Sequence, residues 1–491
     1  MSDDVRGVAV ARGDGVAERR GTHESAAAVT FSVMWAIAVL FHIFSGPMRF
    51  EAFPEPTALG VNLLALGGVA VAVLVRPRDV RLFVLLGALQ LLSVWLETPR
   101  LGNHWLVGGF VSLAVLASAA SVWWRDRRLD AAKLFRTFAP AARWILLIFY
   151  AFAAFAKLNQ DFLDPAVSCA TFFARESLAV FGLDDLVAGG VSGAVVAGTI
   201  LVELAVPVLL VLRRTRTVGV VLAVGFHTVL AADLAHPFFD FSSLLLALFV
   251  LFLPPGFAGW LRSKITARGR AGGLVEAGAH VLILVVAVLL LAALGPANPG
   301  LAVLALAGAY LLWFAYGAVC VLVVVMHVLL HRPAAEPGLF ALPGRAMALV
   351  PVLVLLNGLT PYLELKTAFG FDMYSNLVTV AGTSNHLVIP ATLPLTDVQE
   401  DLVAIRSSSD PGLQWYADNE YALPWLTLRA YLDDHPDVAV LYVRGGKLHE
   451  ISPGDRHGVA PVPAWQEKLM AFRAVDLRSS KRCQDRWGVA N

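Results

Sequence analysis

The sequence predicts an all-α polytopic membrane bundle of about eleven helices, N-terminus inside and C-terminus outside, with a small α+β domain at its C-terminal end. Three observations predict it. Hydrophobic residues make up 58% of the 491 and charged residues only 15%, against about 25% charged in an ordinary soluble domain. Mean hydropathy is +0.69, and long apolar runs recur with few charges inside them. From about Leu387 charges become frequent and the apolar runs shorten.

The elements follow in chain order. Residues 1–27 are polar and mixed in charge, the composition of a disordered cytoplasmic tail. They carry too many acidic residues for a signal-peptide n-region, and no small-residue cleavage site follows, so the first apolar segment is expected to stay as a transmembrane helix. Spans long enough for a hydrocarbon layer of roughly 30 Å at about 1.5 Å per residue are 28–46, 57–76, 80–97, 105–124, 140–158, 187–212, 217–235, 240–255, 274–295, 301–330 and 346–366. The eighth is short and the tenth long. Basic residues set the orientation. With the N-terminus cytoplasmic, clusters such as Arg76–Arg78–Arg81, Arg125–Arg127–Arg128, Arg213–Arg214–Arg216 and Arg262–Lys264–Arg268 all fall inside, while the outer loops hold only Arg49, Arg100 and Arg175.

The last stretch, 387–491, reads as the small extracytoplasmic domain. "DLVAIRSSS" and "DVAVLYVRGGKLHEI" have strand patterns, the second turning at Gly445-Gly446. "PWLTLRAYLDD" and "PAWQEKLMAFRAVD" have helical periodicity. A net charge of +1 offers no footing for nucleic acid, and three cysteines without a CxxC exclude a cysteine metal framework. Cys169 and Cys483 both fall on the outer side, where an oxidising compartment would permit a bridge between them.

Ionisable side chains inside the membrane cost about 2.5–3.5 kcal/mol each at the bilayer centre, so their placement is informative. Glu203 lies about ten residues before Arg213, and His227 about eleven after Arg216. The two helices are joined by a short loop and must be antiparallel neighbours, which predicts a Glu203–His227 contact near mid-membrane. That contact is either a polar clasp worth about 1 kcal/mol or less or part of a functional site. Lys157 ends the apolar run "FYAFAAFAKLNQDF". Its amine either snorkels to headgroup level or turns inward. Slim alanines (Ala151, Ala153, Ala154, Ala156) and a long aromatic and acidic loop at 159–186 favour the inward reading, and a desolvated lysine can act as a general base. His42, Glu97, His104, Asp233, His236 and Asp240 gather on the same outer side; no HExxH-type spacing occurs, and no metal site is predicted. His280 and His327 lie nearer the cytoplasmic side and read as structural.

In order, "FYAFAAFAKLNQDFLDPAVSCA", "ILVELAVPVLLVLRRTR" and "VGFHTVLAADLAHPFFDFSSLLLALFVLFLPP" resemble the core of the vitamin K-dependent gamma-glutamyl carboxylase-like superfamily, also called the horizontally transferred transmembrane (HTTM) domain. The resemblance covers roughly 28–260, leaving 261–386 as additional transmembrane helices and a post-membrane segment. There, "NGLTPYLELKTAFGFDMYSNLVTVAGTSNHLVIP" resembles a stretch that bacterial members often carry. The resemblance implies a bacterial inner-membrane protein with a quinone or hydroquinone of the vitamin K type, Lys157 as base, His227 as a supporting proton-network residue, and a secreted or periplasmic peptide as substrate beside membrane lipid; Glu203 joins them as a candidate site residue by its depth beside His227. The tail here is small and lacks likeness to the lumenal domain of the carboxylases, and the paired lysines of the animal enzymes are absent. Two other classes stay open: a proton-coupled transporter or lipid-binding protein relaying through Glu203 and His227, and a non-catalytic assembly protein.

Overall fold

The computed structural model describes residues 3–45, 57–254, 256–266, 278, 281–288, 298–331, 338–454 and 462–484. The helices in chain order are α1 (Asp3–Ser45), α2 (Ala58–Val75), α3 (Val80–Glu97), α4 (Asn103–Asp126), α5 (Ala131–Ala156), α6 (Gln160–Leu163), α7 (Cys169–Ala179), α8 (Gly190–Val211), α9 (Arg216–Leu230), α10 (Phe239–Val250), α11 (Gly256–Thr266), α12 (Pro299–Leu330) and α13 (Arg345–Leu359). Among the described residues seven are long and apolar enough to cross a membrane, and α9, α10 and α13 are shorter apolar helices. Each corresponds to an expected span. The remaining span, 274–295, lies outside the described residues except for 278 and 281–288, as does His280. Helix α1 begins at Asp3, inside the stretch read as a tail, and its apolar part runs Gly21–Ser45. The last span stops seven residues early, at Leu359 instead of 366, because Pro361 lacks the N–H that a further turn needs.

The chain divides into two units, 1–96 with 107–147 and 205–352, and 97–106 with 148–204 and 353–491. In the first unit α1 packs against α2, α10, α11 and α12. Between helices in lipid the hydrophobic term is small, so dispersion and a few hydrogen bonds hold them. Phe31 stacks on Trp35 at 5.2 Å and tilts against Phe138 at 5.2 Å. Gln90 Oε1 accepts from Trp35 Nε1 at 2.8 Å and from Ser112 Oγ at 2.7 Å. A Cβ at position 108 would stand 2.5 Å from Gln90 Nε2, so a side chain there would push the Gln90 amide out of its place.

The second unit holds the end of α5, α6, α7, the first part of α8, the end of α13 and the C-terminal domain. A short hairpin, β1 (Thr379–Val380) with β2 (Thr383–Ser384), precedes that domain. Its strands are β3 (Leu402–Ser408), β4 (Tyr421–Pro424), β5 (Val440–Arg444), β6 (Lys447–Ile451) and β7 (Val475–Asp476), antiparallel in the order β6-β5-β3-β4-β7. Helices α14 (Pro411–Asp418), α15 (Trp425–Asp434) and α16 (Ala464–Leu469) accompany them. Val403, Ile405, Leu413, Tyr416, Leu428 and Leu432 form the core. Gly445 and Gly446 turn the β5–β6 hairpin with φ of 56° and 74°, as the sequence predicts. The expected final helix is shorter: it ends at Leu469, and Val475–Asp476 instead pair with Tyr421–Ala422. Asp476 is claimed there by Arg482, whose Nε donates to it at 2.8 Å.

Candidate functional site

Lys157 is the first residue beyond α5, and the way that helix ends fixes its amine. An α-helix leaves its last four carbonyls without intrahelical donors. Here all four are met. Lys157 Nζ donates to Ala153 O at 3.2 Å and Lys157 N to Ala154 O at 3.2 Å. Phe155 O accepts from Leu158 N at 2.9 Å and from His386 Nε2 at 2.8 Å. Asn159 Nδ2 donates to Ala156 O at 2.7 Å, while its Oδ1 accepts from Phe162 N at 2.8 Å to start α6. His386 Nδ1 accepts from Val388 N and Ile389 N at 3.0 and 3.2 Å, which makes Nε2 the protonated ring nitrogen.

Turned back along its own helix, Lys157 is only 5% exposed. Its Nζ lies 2.9 Å from Glu203 Oε2 on α8 and 5.8 Å from the centre of the Phe162 ring. Tyr150, buried two turns earlier on α5, is within electrostatic reach of Glu203. The lysine is therefore tucked inward and does not snorkel. The negative end of the helix dipole and the Glu203 carboxylate both face its ammonium. Removing one member of such a buried pair strands the other, at a cost of about 3–5 kcal/mol.

The partner of Glu203 is thus Lys157, where the sequence points to His227. Lys157 and Glu203 belong to the second unit and His227 to the first. The His227 imidazole is 2% exposed and packs among the rings of Phe226, Phe241 and Phe249, at 5.2, 5.2 and 5.6 Å. Elsewhere in the first unit His42 Nδ1 meets Asp240 Oδ2 at 3.0 Å, and His236 Nδ1 meets Asp233 Oδ2 at 3.0 Å. His327 packs between Phe257, Trp260 and His331, consistent with a structural role.

A second polar cluster lies in the segment after α13. Lys366 Nζ donates to Asn357 Oδ1 at 2.6 Å and stands 4.2 Å from the Phe369 ring centre. Burial pushes its amine down to about 7, against the opposing pull of Asp372. Burial raises the Asp372 carboxyl above the usual range, offset in part by Arg473, whose Nη2 lies 2.9 Å away, and by Lys366 and Lys157. The backbone here is strained: Glu364, Phe369, Phe371, Tyr374, Asn376 and Ala381 all have positive φ. Side chains hold them in place. Asn103 Oδ1 accepts from Phe371 N at 2.7 Å, Asn357 Nδ2 donates to Phe369 O at 3.0 Å, and Glu364 Oε1 accepts from Gly382 N at 2.8 Å and from the Thr392 hydroxyl. The only sequence signal of this cluster is the density of Asn, Lys, Asp and Glu between apolar residues in "NGLTPYLELKTAFGFDMYSN", a segment set apart above only by its resemblance.

The loop after Lys157 is stapled to the C-terminal stretch. Cys169 and Cys483 form a disulfide with Cα atoms 4.6 Å apart. Asp161 accepts from Lys481 N at 2.8 Å and from Asn385 Nδ2 at 2.6 Å. Asn376 Nδ2 donates to Val167 O and Lys481 O, both at 2.9 Å.

No curated protein and no solved structure matches the chain. Residues 64–257 match the family model of the HTTM domain, a range that holds Lys157, Glu203 and His227 and leaves out Lys366. The match lies over residues 64–257, and seven helices among the described residues are long and apolar enough to cross a membrane, the makeup of an integral membrane protein similar over that range to the HTTM domain.

Proposed function

We propose that the chain is a membrane-embedded enzyme of the carboxylase-like kind, performing quinone-linked carboxylation or redox chemistry with Lys157 as base and Glu203 as its proton partner. The observation that carries this reading is the buried Lys157–Glu203 pair, 2.9 Å apart, at the end of an alanine-lined helix. A hydroquinone, when bound, would supply an acidic hydroxyl on a flat apolar ring. Around the pair lie the buried aromatic rings of Phe162 and Tyr150, the kind of side chain against which such a ring packs. For Lys157 Nζ to accept a proton, the one it holds in the ion pair must leave first, and Glu203 Oε2 is placed to take it. His227 is assigned no step; its ring is enclosed by phenyl groups.

The orientation belongs to the same proposal: N-terminus in the cytoplasm, and the C-terminal domain outside a bacterial inner membrane, where a secreted or periplasmic peptide would arrive. The Cys169–Cys483 bridge supports it, since disulfides persist on the oxidising side. The buried ion pair also supports a second reading, proton-coupled transport through Lys157 and Glu203.

The test uses the full chain purified with lipid. Vitamin K hydroquinone oxidation and incorporation of labelled carbon dioxide into an added Glu-containing peptide are followed in the native protein and in Lys157→Ala. Loss of the base is expected to slow turnover by about 10²–10⁴-fold; identical rates would remove Lys157 from the chemistry. A Lys157-dependent pH change in proteoliposomes without quinone turnover would favour transport.

A further inference from the structure

Helix α5 carries two arginines, Arg136 and Arg143, seven residues apart on one face and separated along the axis by roughly 10 Å. Between them Pro140 has no N–H, so the Arg136 carbonyl lacks its α-helical donor. A cavity of about 320 Å³ runs along this face, within the range of small-molecule sites. Its polar lining is His23 and Glu24 from α1 with Arg136 and Arg143; its walls are apolar, with Phe257 and Leu339 among them. Arg136 Nε lies 3.1 Å from Glu24 Oε2 at the half-exposed mouth. Arg143, buried, is fixed by bonds from Nε to Leu251 O and from Nη1 to Leu339 O, both 2.8 Å. Among the described residues the lining holds two guanidiniums and a single carboxylate, so its balance is positive.

The depth of the cavity points the same way. Its lining comes from the start of the first span (Gly21–Ser45), the N-terminal half of the Ala131–Ala156 span, the end of Phe239–Val250 with the residues just after it, and the stretch 338–343 before Arg345–Leu359. In an alternating bundle these are ends on one membrane face, at headgroup level. It is also the face to which the basic loops assign the cytoplasm, where anionic lipids concentrate and basic pockets between helices take their headgroups.

The geometry points to a binding site for one anionic phospholipid, its phosphate between Arg136 and Arg143 and its acyl chains running out along the apolar wall. The volume admits a headgroup and not a whole lipid. The test is native mass spectrometry of the full chain in detergent, titrated with dioleoyl phosphatidylglycerol, dioleoyl phosphatidylcholine or ammonium phosphate. One phosphatidylglycerol should be retained about tenfold better than phosphatidylcholine, and Arg136→Gln should lose about tenfold of that retention. Ala341→Trp, placed at an exposed position of the lining, should lose as much by filling the space. Equal retention of the two lipids, or native retention in Ala341→Trp, would overturn the site. Displacement of phosphatidylglycerol by equimolar phosphate would show a free-anion site and remove the lipid. Should either variant misfold, the comparison of lipids on the native chain decides.

Discussion

Lys366 sits seven residues past the end of α13, buried, with its amine on Asn357 and the Phe369 ring. Its folded-state value of about 7 lies below the unfolded value of 10.5, so between these limits the unfolded chain binds more protons. Stability therefore rises with pH across that window, by at most about 1.4 kcal/mol per pH unit, and is flat in this group below it. The native thermal midpoint should climb from pH 7 to 9, and Lys366→Met should flatten the climb; a parallel climb in the variant would place the titration elsewhere. At Lys157 the expectation concerns coupling. Lys157→Met or Glu203→Leu alone should each cost about 3–5 kcal/mol, while the two together should cost clearly less than their sum. Denaturation of the singles and the double, with equal additivity as the contrary result, checks it. The sequence left two fates for Lys157 open, snorkelling and an inward turn, and its alanine-rich helix favoured the second without deciding it. Its partner was not legible, because counting residues from basic ends gives depth along one helix but not which neighbouring face an acid meets.

At the scale of elements, the apolar spans and the β5–β6 hairpin were legible because period and length alone identify them. The end of α13 and the fate of 470–476 were not: a proline two residues past the stop and a strand partner in β4 override helical periodicity. The close approach of α13 to α5 is also beyond sequence reading. A Cβ on Gly358 would stand 2.2 Å from the Phe152 ring, so the two helices meet there through a missing side chain. Gly358→Ala should destabilise the protein by about 1–3 kcal/mol, and the paired change Phe152→Ala should recover part of it. A neutral Gly358→Ala in thermal unfolding would mean that the helices can separate freely at this point.

At the scale of the whole molecule, the lipid-facing character of the helices is visible in α8 and α12, which leave Leu201, Val208, Leu304, Leu311 and Leu329 exposed. The distribution of arginine and lysine among loops adds direction to that picture. A single-cysteine reporter at the exposed hairpin position, Lys447→Cys, should react with a membrane-impermeant maleimide added to intact cells. Labelling that appears only after the membrane is opened would invert the proposed orientation.

The covalent link between Cys169 and Cys483 spans 314 residues of sequence and encloses α8 through α16 and the strands β1 through β7. Such a ring cannot close until the ribosome has delivered every enclosed segment and the translocon has released it. Oxidation of this cysteine pair is therefore a late event in biogenesis, and the fraction of newly made chains still reactive toward an alkylating reagent in a pulse–chase reads out how many await completed insertion.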